Sequence, residues 1–153
     1  MRTYVIDNDR GCSNHSVYFV EADPAVMDPL LAAYEKAWPR VCRFCGCVYQ
    51  RYALGERAPA CPKVPKRLAD QQWPYHSYYE ASHVIFVADT IEWRVDRRMS
   101  LTDWLDMLVG TCSLDDEVAD VGAAQEFKRL VLQINPNQYF GDDDWTLRPA
   151  VKP

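Results

Sequence analysis

The stretch TYVIDNDRGCSNHSVYFVEADPAVMDPLLAAYEKAWP, residues Thr3 to Pro39, decides the fold. Thr3 to Asp7 and Ser16 to Glu21 are runs of Tyr, Val, Ile and Phe, the residues that suit a pleated, half-buried surface. Between them Asn8-Asp9-Arg10-Gly11 opens a polar connection longer than a two-residue turn, which predicts a hairpin closed by a wider loop or a bulge. Asp28 before Pro29 then reads as a helix start. The aspartate can cap free N–H groups, and proline costs least at the first helical position. A helix over about 29–38 follows, placing Leu30, Leu31, Tyr34, Ala37 and Trp38 on one apolar face, and Pro39 ends it. A strand pair with a helix to cover it is the seed of an α+β fold.

Working outward, residues 55–74 carry Gly55, Pro59, Pro62, Pro65 and Pro74 and read as loop, with one short helical turn near Leu68. His83 to Val95 turns strand-like again, with Val84-Ile85-Phe86-Val87 as its most apolar part, the expected central strand, and Thr90 to Val95 as a continuation or partner. Ser100-Leu-Thr-Asp103 resembles a capping box, and Leu101, Trp104, Leu105, Leu108 and Val109 recur as a helical stripe that ends near Gly110. Ser113 with Asp115, Asp116 and Glu117 repeats the acidic start signal. Val118, Val121, Phe127, Leu130 and Val131 continue with helical spacing towards Pro136, and Gly122 is a point where that helix can break. The tail with Asp142-Asp143-Asp144-Trp145 has no strong period and is expected to pack by its aromatics. The prediction is a single domain over 1–153: a small, mainly antiparallel sheet, about three helices packed on it, and a cysteine-containing loop region.

A chain of this length buries roughly 70% of its unfolded surface, so a core needs no staples. A composition of 48% hydrophobic and 25% charged residues is that of a globular protein. No apolar run nears the roughly 20 residues that span a bilayer, and Met1 to Asp7 turns polar too soon for a signal peptide, which predicts a cytoplasmic location. A reducing compartment favours metal-bound thiolates over disulfides for the six cysteines; secretion would reverse that order.

Cys42-Arg43-Phe44-Cys45-Gly46-Cys47 has the spacing of a metal knuckle, two thiolates gripping one ion across a turn that glycine eases. Cys61 lies at a distance suited to the second side of a compact zinc site, although Val64 stands where a zinc ribbon would offer the paired cysteine. The expected metal residues are Cys42, Cys45, Cys47 and Cys61, holding one structural zinc. The fourth ligand stays open between Cys47, His76 or His83, and the pair Cys12 and His15. Four ligands would make the site closed and structural, since a catalytic zinc keeps a position for water or substrate. Cys112 falls on a predicted apolar helix face and reads as core. A redox Cys-x-x-Cys would need a strand before it and a helix start, whereas a helix and Pro39 precede this one. The His-x-Glu and Pro-Cys-x-x-Cys elements of a zinc deaminase are missing.

Charge is sharply segregated. From Lys36 to Arg67 eight basic residues face Glu56 alone, a net +7, so in a chain of −5 the remainder carries −12. Arg43, Arg51, Arg57, Lys63, Lys66 and Arg67, interleaved with Phe44, Tyr49 and Tyr52, are candidate nucleic-acid contacts through phosphates and base stacking. The competing expectation is that this basic segment folds against the acidic body. Asp115, Asp116, Glu117, Asp142, Asp143 and Asp144 are candidate contacts to a basic partner, against the plainer role of solvated helix starts.

Neither a Walker loop nor a dinucleotide fingerprint is present. His76, Glu80 and His83, or Cys45 with His76, offer acid–base or nucleophile–base pairs for a small hydrolase or transferase. The preferred expectation is a noncatalytic protein-binding regulator or inhibitor of a larger protein or ribonucleoprotein complex, supported by five Trp and nine Tyr, ring types enriched at binding hot spots. Size, acidity and absent motifs resemble small phage-encoded antidefence proteins such as anti-CRISPRs, a resemblance that implies no particular residue. A nucleic-acid-binding zinc module using 36–67 is the alternative.

Overall fold

A computed structural model of the chain describes residues 1–8, 16–48, 59–77, 84–87, 97–111, 114, 117–140 and 147–149. The expected strand pair forms; its connection, 9–15, lies outside the described residues. Strands β1 (Arg2–Asn8) and β2 (Ser16–Ala22) pair antiparallel from Arg2 opposite Ala22 to Asn8 opposite Ser16. Because strand side chains alternate, this register puts Tyr4 and Ile6 with Tyr18, Val20 and Ala22 on the core face.

The apolar run Val84–Val87 is β3, antiparallel to β1. Among the described residues it lies at the edge of a four-stranded sheet of order β3-β1-β2-β4, with the hairpin strands, not this one, at its centre. At the opposite edge β4 (Arg97–Met99) runs parallel to β2, while both pairings of β1 are antiparallel, so the sheet is mainly antiparallel as expected. The expected strand Thr90 to Val95 lies outside the described residues.

Helix α1 spans Pro24–Ala37. It starts one Asp-Pro pair earlier than the sequence suggested: Asp23 is the cap, its side chain accepting the Ala25 amide at 2.9 Å, and Pro29 sits within the helix. Asp28 is used elsewhere, accepting a 2.7 Å hydrogen bond from the Tyr4 hydroxyl, which ties α1 to the sheet. Met27, Leu30, Ala33, Tyr34 and Ala37 form the buried stripe. Helix α2 (Lys66–Asp70) is the expected short turn near Leu68.

Ser100 caps α3 (Leu101–Leu105) by accepting the Asp103 amide, and the chain runs on as a π-helical turn over Asp106–Thr111. At Gly110 the Asp106 carboxylate comes within 2.9 Å of where a Cβ would stand, so a side chain there would displace that carboxylate. Of the second acidic start, Ser113, Asp115 and Asp116 lie outside the described residues, and Glu117 is in no helix. Glu117–Val118 is a short strand, β5, paired parallel with β6 (Arg148–Pro149). Helix α4 (Val121–Ile134) begins only after Asp120 caps it, which puts Gly122 in its first turn, where no intrahelical bond is interrupted.

Helices α1 and α4 pack through an aromatic trio: Trp38 meets Phe127 edge-on at 5.4 Å, and Tyr34 lies 5.6 and 5.7 Å from the two. All three rings are fully buried, each contributing about 1.5–3 kcal/mol by burial alone. Phe140 and Leu147 of the tail pack on this core, as the aromatic tail suggested, whereas Asp142 to Trp145 lie outside the described residues. No described helix is long and apolar enough to cross a membrane.

Candidate metal centre

The cysteine segment leaves α1 directly after Trp38, whose burial fixes where the segment begins. Val41 and Val48 form an antiparallel bridge that closes the knuckle. Inside it the Cys42 amide donates to the Cys47 carbonyl and the Gly46 amide to the Cys42 carbonyl, both at 2.8 Å. Gly46 has φ 75°, the left-handed conformation that the turn requires and that only glycine enters freely. The Phe44 amide points at Cys42 Sγ from 3.4 Å, as a donor to a thiolate does.

A second loop is closed the same way. Ala60 bridges Tyr75, and the Cys61 amide donates to the Pro74 carbonyl at 2.7 Å, which sets Cys61 and His76 side by side. The Arg43 amide reaches the Ser77 carbonyl at 2.9 Å and joins the two loops. The Arg43 guanidinium turns towards the body, 3.1 Å from Glu117, and Arg148 lies 3.4 Å from the same carboxylate.

The result is four ligand atoms, from Cys42, Cys45, Cys61 and His76, all within 4.8 Å of one another. Cys42 Sγ and Cys61 Sγ are 3.9 Å apart, and Cys45 Sγ is 3.3 Å from His76 Nδ1. Zinc bonds of about 2.3 Å to sulfur and about 2.05 Å to nitrogen, set tetrahedrally, need separations of about 3.8 Å and about 3.6 Å. Both separations lie within about 0.3 Å of those values, and three soft thiolates with one imidazole are a zinc-type set. Cys47 stands just outside it, its Sγ 3.3 Å from His76 Nδ1 and 4.0 Å from Nε2.

The thiols do not share one acidity. Burial raises Cys42, but amide donors from Cys45 and Phe44, with His76, outweigh it and hold the thiol below its ordinary value. The Cys47 amide holds Cys45 down against a smaller desolvation effect. Burial pushes Cys61 up to about 11, with the neighbouring thiols adding to it. This is the behaviour of adjacent acids competing to carry charge in one small space. A divalent cation would end the competition by binding all three as thiolates.

Of the two candidate fourth ligands among the described residues, Cys47 and His76, it is His76 that joins the four-atom group. Its signal in sequence was faint, because a whole loop separates it from Cys61 and no second cysteine pairs with it. Cys12, His15, Glu80, His83 and Cys112 lie outside the described residues. So do the candidate nucleic-acid residues Arg51 and Arg57, with Tyr49 and Tyr52, and the candidate partner residues Asp115, Asp116, Asp142, Asp143 and Asp144. Lys63, Lys66 and Arg67 are exposed on the second loop and α2. Glu117, expected as a surface acid, is the clamp between Arg43 and Arg148, a role that only the folded chain reveals. No family model, curated protein or solved structure matches the chain.

Proposed function

We propose that the chain is a noncatalytic binding regulator of a larger partner, and that its Cys42, Cys45, Cys61 and His76 hold one structural zinc. One observation carries the metal reading: among the described residues of 41–77 the only buried ones are Cys42 and Cys61, and none belongs to the hydrophobic core. A segment whose described residues bury so little apolar surface needs another source of order, and metal binding supplies it as folding free energy. Four protein donors leave no position for water or substrate, which supports structure over catalysis. His76, the candidate base within the described residues, is engaged with two thiols and would be taken up by the metal.

Metal analysis of the purified protein, paired with hydrogen exchange before and after chelation, tests this. The expected result is one zinc per chain, with chelation releasing protection in 41–77 while α1 and α4 stay protected. Metal-free protein whose 41–77 amides are as protected as before chelation would end the proposal.

A further inference from the structure

We infer that the loop between Cys61 and His76 is a docking surface for single-stranded nucleic acid, with Trp73 and Tyr75 as the stacking platform and Lys63, Lys66 and Arg67 as the phosphate contacts. This rests on the metal-ordered binding module proposed above and names its partner.

Three features of the loop converge. Trp73 and Tyr75 are 55% and 37% exposed, although large rings favour burial. They stand edge to face, with ring centres 5.7 Å apart. Their backbone is held. The Trp73 amide donates to the Leu68 carbonyl of α2 at 2.9 Å, and Tyr75 is bridged to Ala60. Rings presented on a fixed backbone are ready to stack with little further ordering cost.

The second feature is charge left without a carboxylate partner among the described residues. Arg43, Lys36, Arg98, Arg129 and Arg148 are all paired with carboxylates, whereas Lys63, Lys66 and Arg67 are exposed and make no ion pair with any described residue. Asp70 is the one acid among residues 59–77. Lysine is depleted in protein–protein interfaces and common against phosphates, so two lysines and an arginine beside exposed rings favour a polyanion over a protein.

The third feature selects the single-stranded form. The only helix here, α2, has five residues. At about 7.5 Å long it is too short to lie along a major groove as a recognition helix does. Exposed rings need unpaired base faces, which a duplex keeps stacked inside.

The test is fluorescence anisotropy of a labelled mixed-sequence single strand of about 12 nucleotides, titrated with the zinc-loaded full chain, with the corresponding duplex as competitor. Three phosphate contacts to a single strand predict an affinity that falls about 20-fold between about 50 and about 200 mM salt. Trp73→Ala should weaken binding about 5- to 150-fold and Trp73→Phe much less, while the Lys63→Glu, Lys66→Glu, Arg67→Glu triple variant should abolish the salt dependence. Zinc content is measured on each sample. Zinc-loaded protein that does not bind the strand overturns this inference and leaves the metal reading standing, with a protein as the partner of this face. Binding unchanged in the Trp73→Ala and triple variants overturns it as well. Binding by a chain without zinc would support the surface and remove the metal reading.

Discussion

Replacing Gly46 by alanine isolates one physical quantity at the metal knuckle. Nothing lies within 4 Å of the Cβ that the substitution adds, so no steric clash contributes. What remains is the backbone, held at φ 75°. There an L-residue carries a penalty of about 1–2 kcal/mol that glycine does not. Under the proposed metal-ordered knuckle the cost falls on metal binding, and about 1–2 kcal/mol corresponds to about a 5- to 30-fold weaker zinc affinity. Competition against a chromogenic chelator measures this directly. One zinc per chain should still bind, since all four ligands are kept. Gly46→Asn should lie closer to the parent protein, because asparagine enters the left-handed region more readily than alanine. Alanine and parent proteins of equal affinity, or an asparagine variant weaker than alanine, would refute the view that a left-handed turn shapes this site.

Two further predictions concern the body of the protein. Phe127→Ala removes the ring that joins Tyr34 and Trp38 and should cost about 3–5 kcal/mol by urea unfolding. Zinc stoichiometry should not change, because no described residue of 41–77 is in that core. A variant that loses its zinc while staying folded would contradict that separation. Tyr4 is held above the ordinary tyrosine value of 10.0 by burial first and by its bond to Asp28 second, so its contribution is complete below that ordinary value and is lost as pH rises through the raised one. Tyr4→Phe should therefore cost about 1 kcal/mol at neutral pH, and the gap between the two proteins should shrink above about pH 10. A gap constant with pH would count against the assignment.

The parts of the fold legible in sequence were those that local chemistry settles. The β-rich runs Thr3 to Asp7 and Ser16 to Glu21 announced the hairpin, and Ser100 announced the start of α3. The misread boundaries had two equivalent signals in competition. Asp23-Pro24 and Asp28-Pro29 are the same start motif, and the tertiary bond from Tyr4 to Asp28 belongs to the fold in which the earlier one caps. Asp115 to Glu117 looked like a helix start, but Glu117 pairs with Arg43 and Arg148, both distant in sequence, and the helix waits for Asp120. The metal site was legible to the same extent. The knuckle is local and was readable as far as Cys45; the choice of His76 over Cys47 depends on the Ala60–Tyr75 bridge, a pairing that no spacing rule encodes.

The hydrogen bond from the Arg43 amide to the Ser77 carbonyl has a consequence for the engineering of the chain. It brings together the two ends of everything between them, so the polypeptide leaves the α1 side and returns at almost the same point. Elements with adjoining ends are the ones that can be inserted into, removed from or moved between host folds without disturbing the host's strand order. The described residues of 43–77 thus lie between adjoining ends, as in a cassette. A short turn in their place would leave the hairpin and its helices connected, and the same segment, extended by one residue to keep Cys42, would carry its ligand set into another scaffold with matching ends.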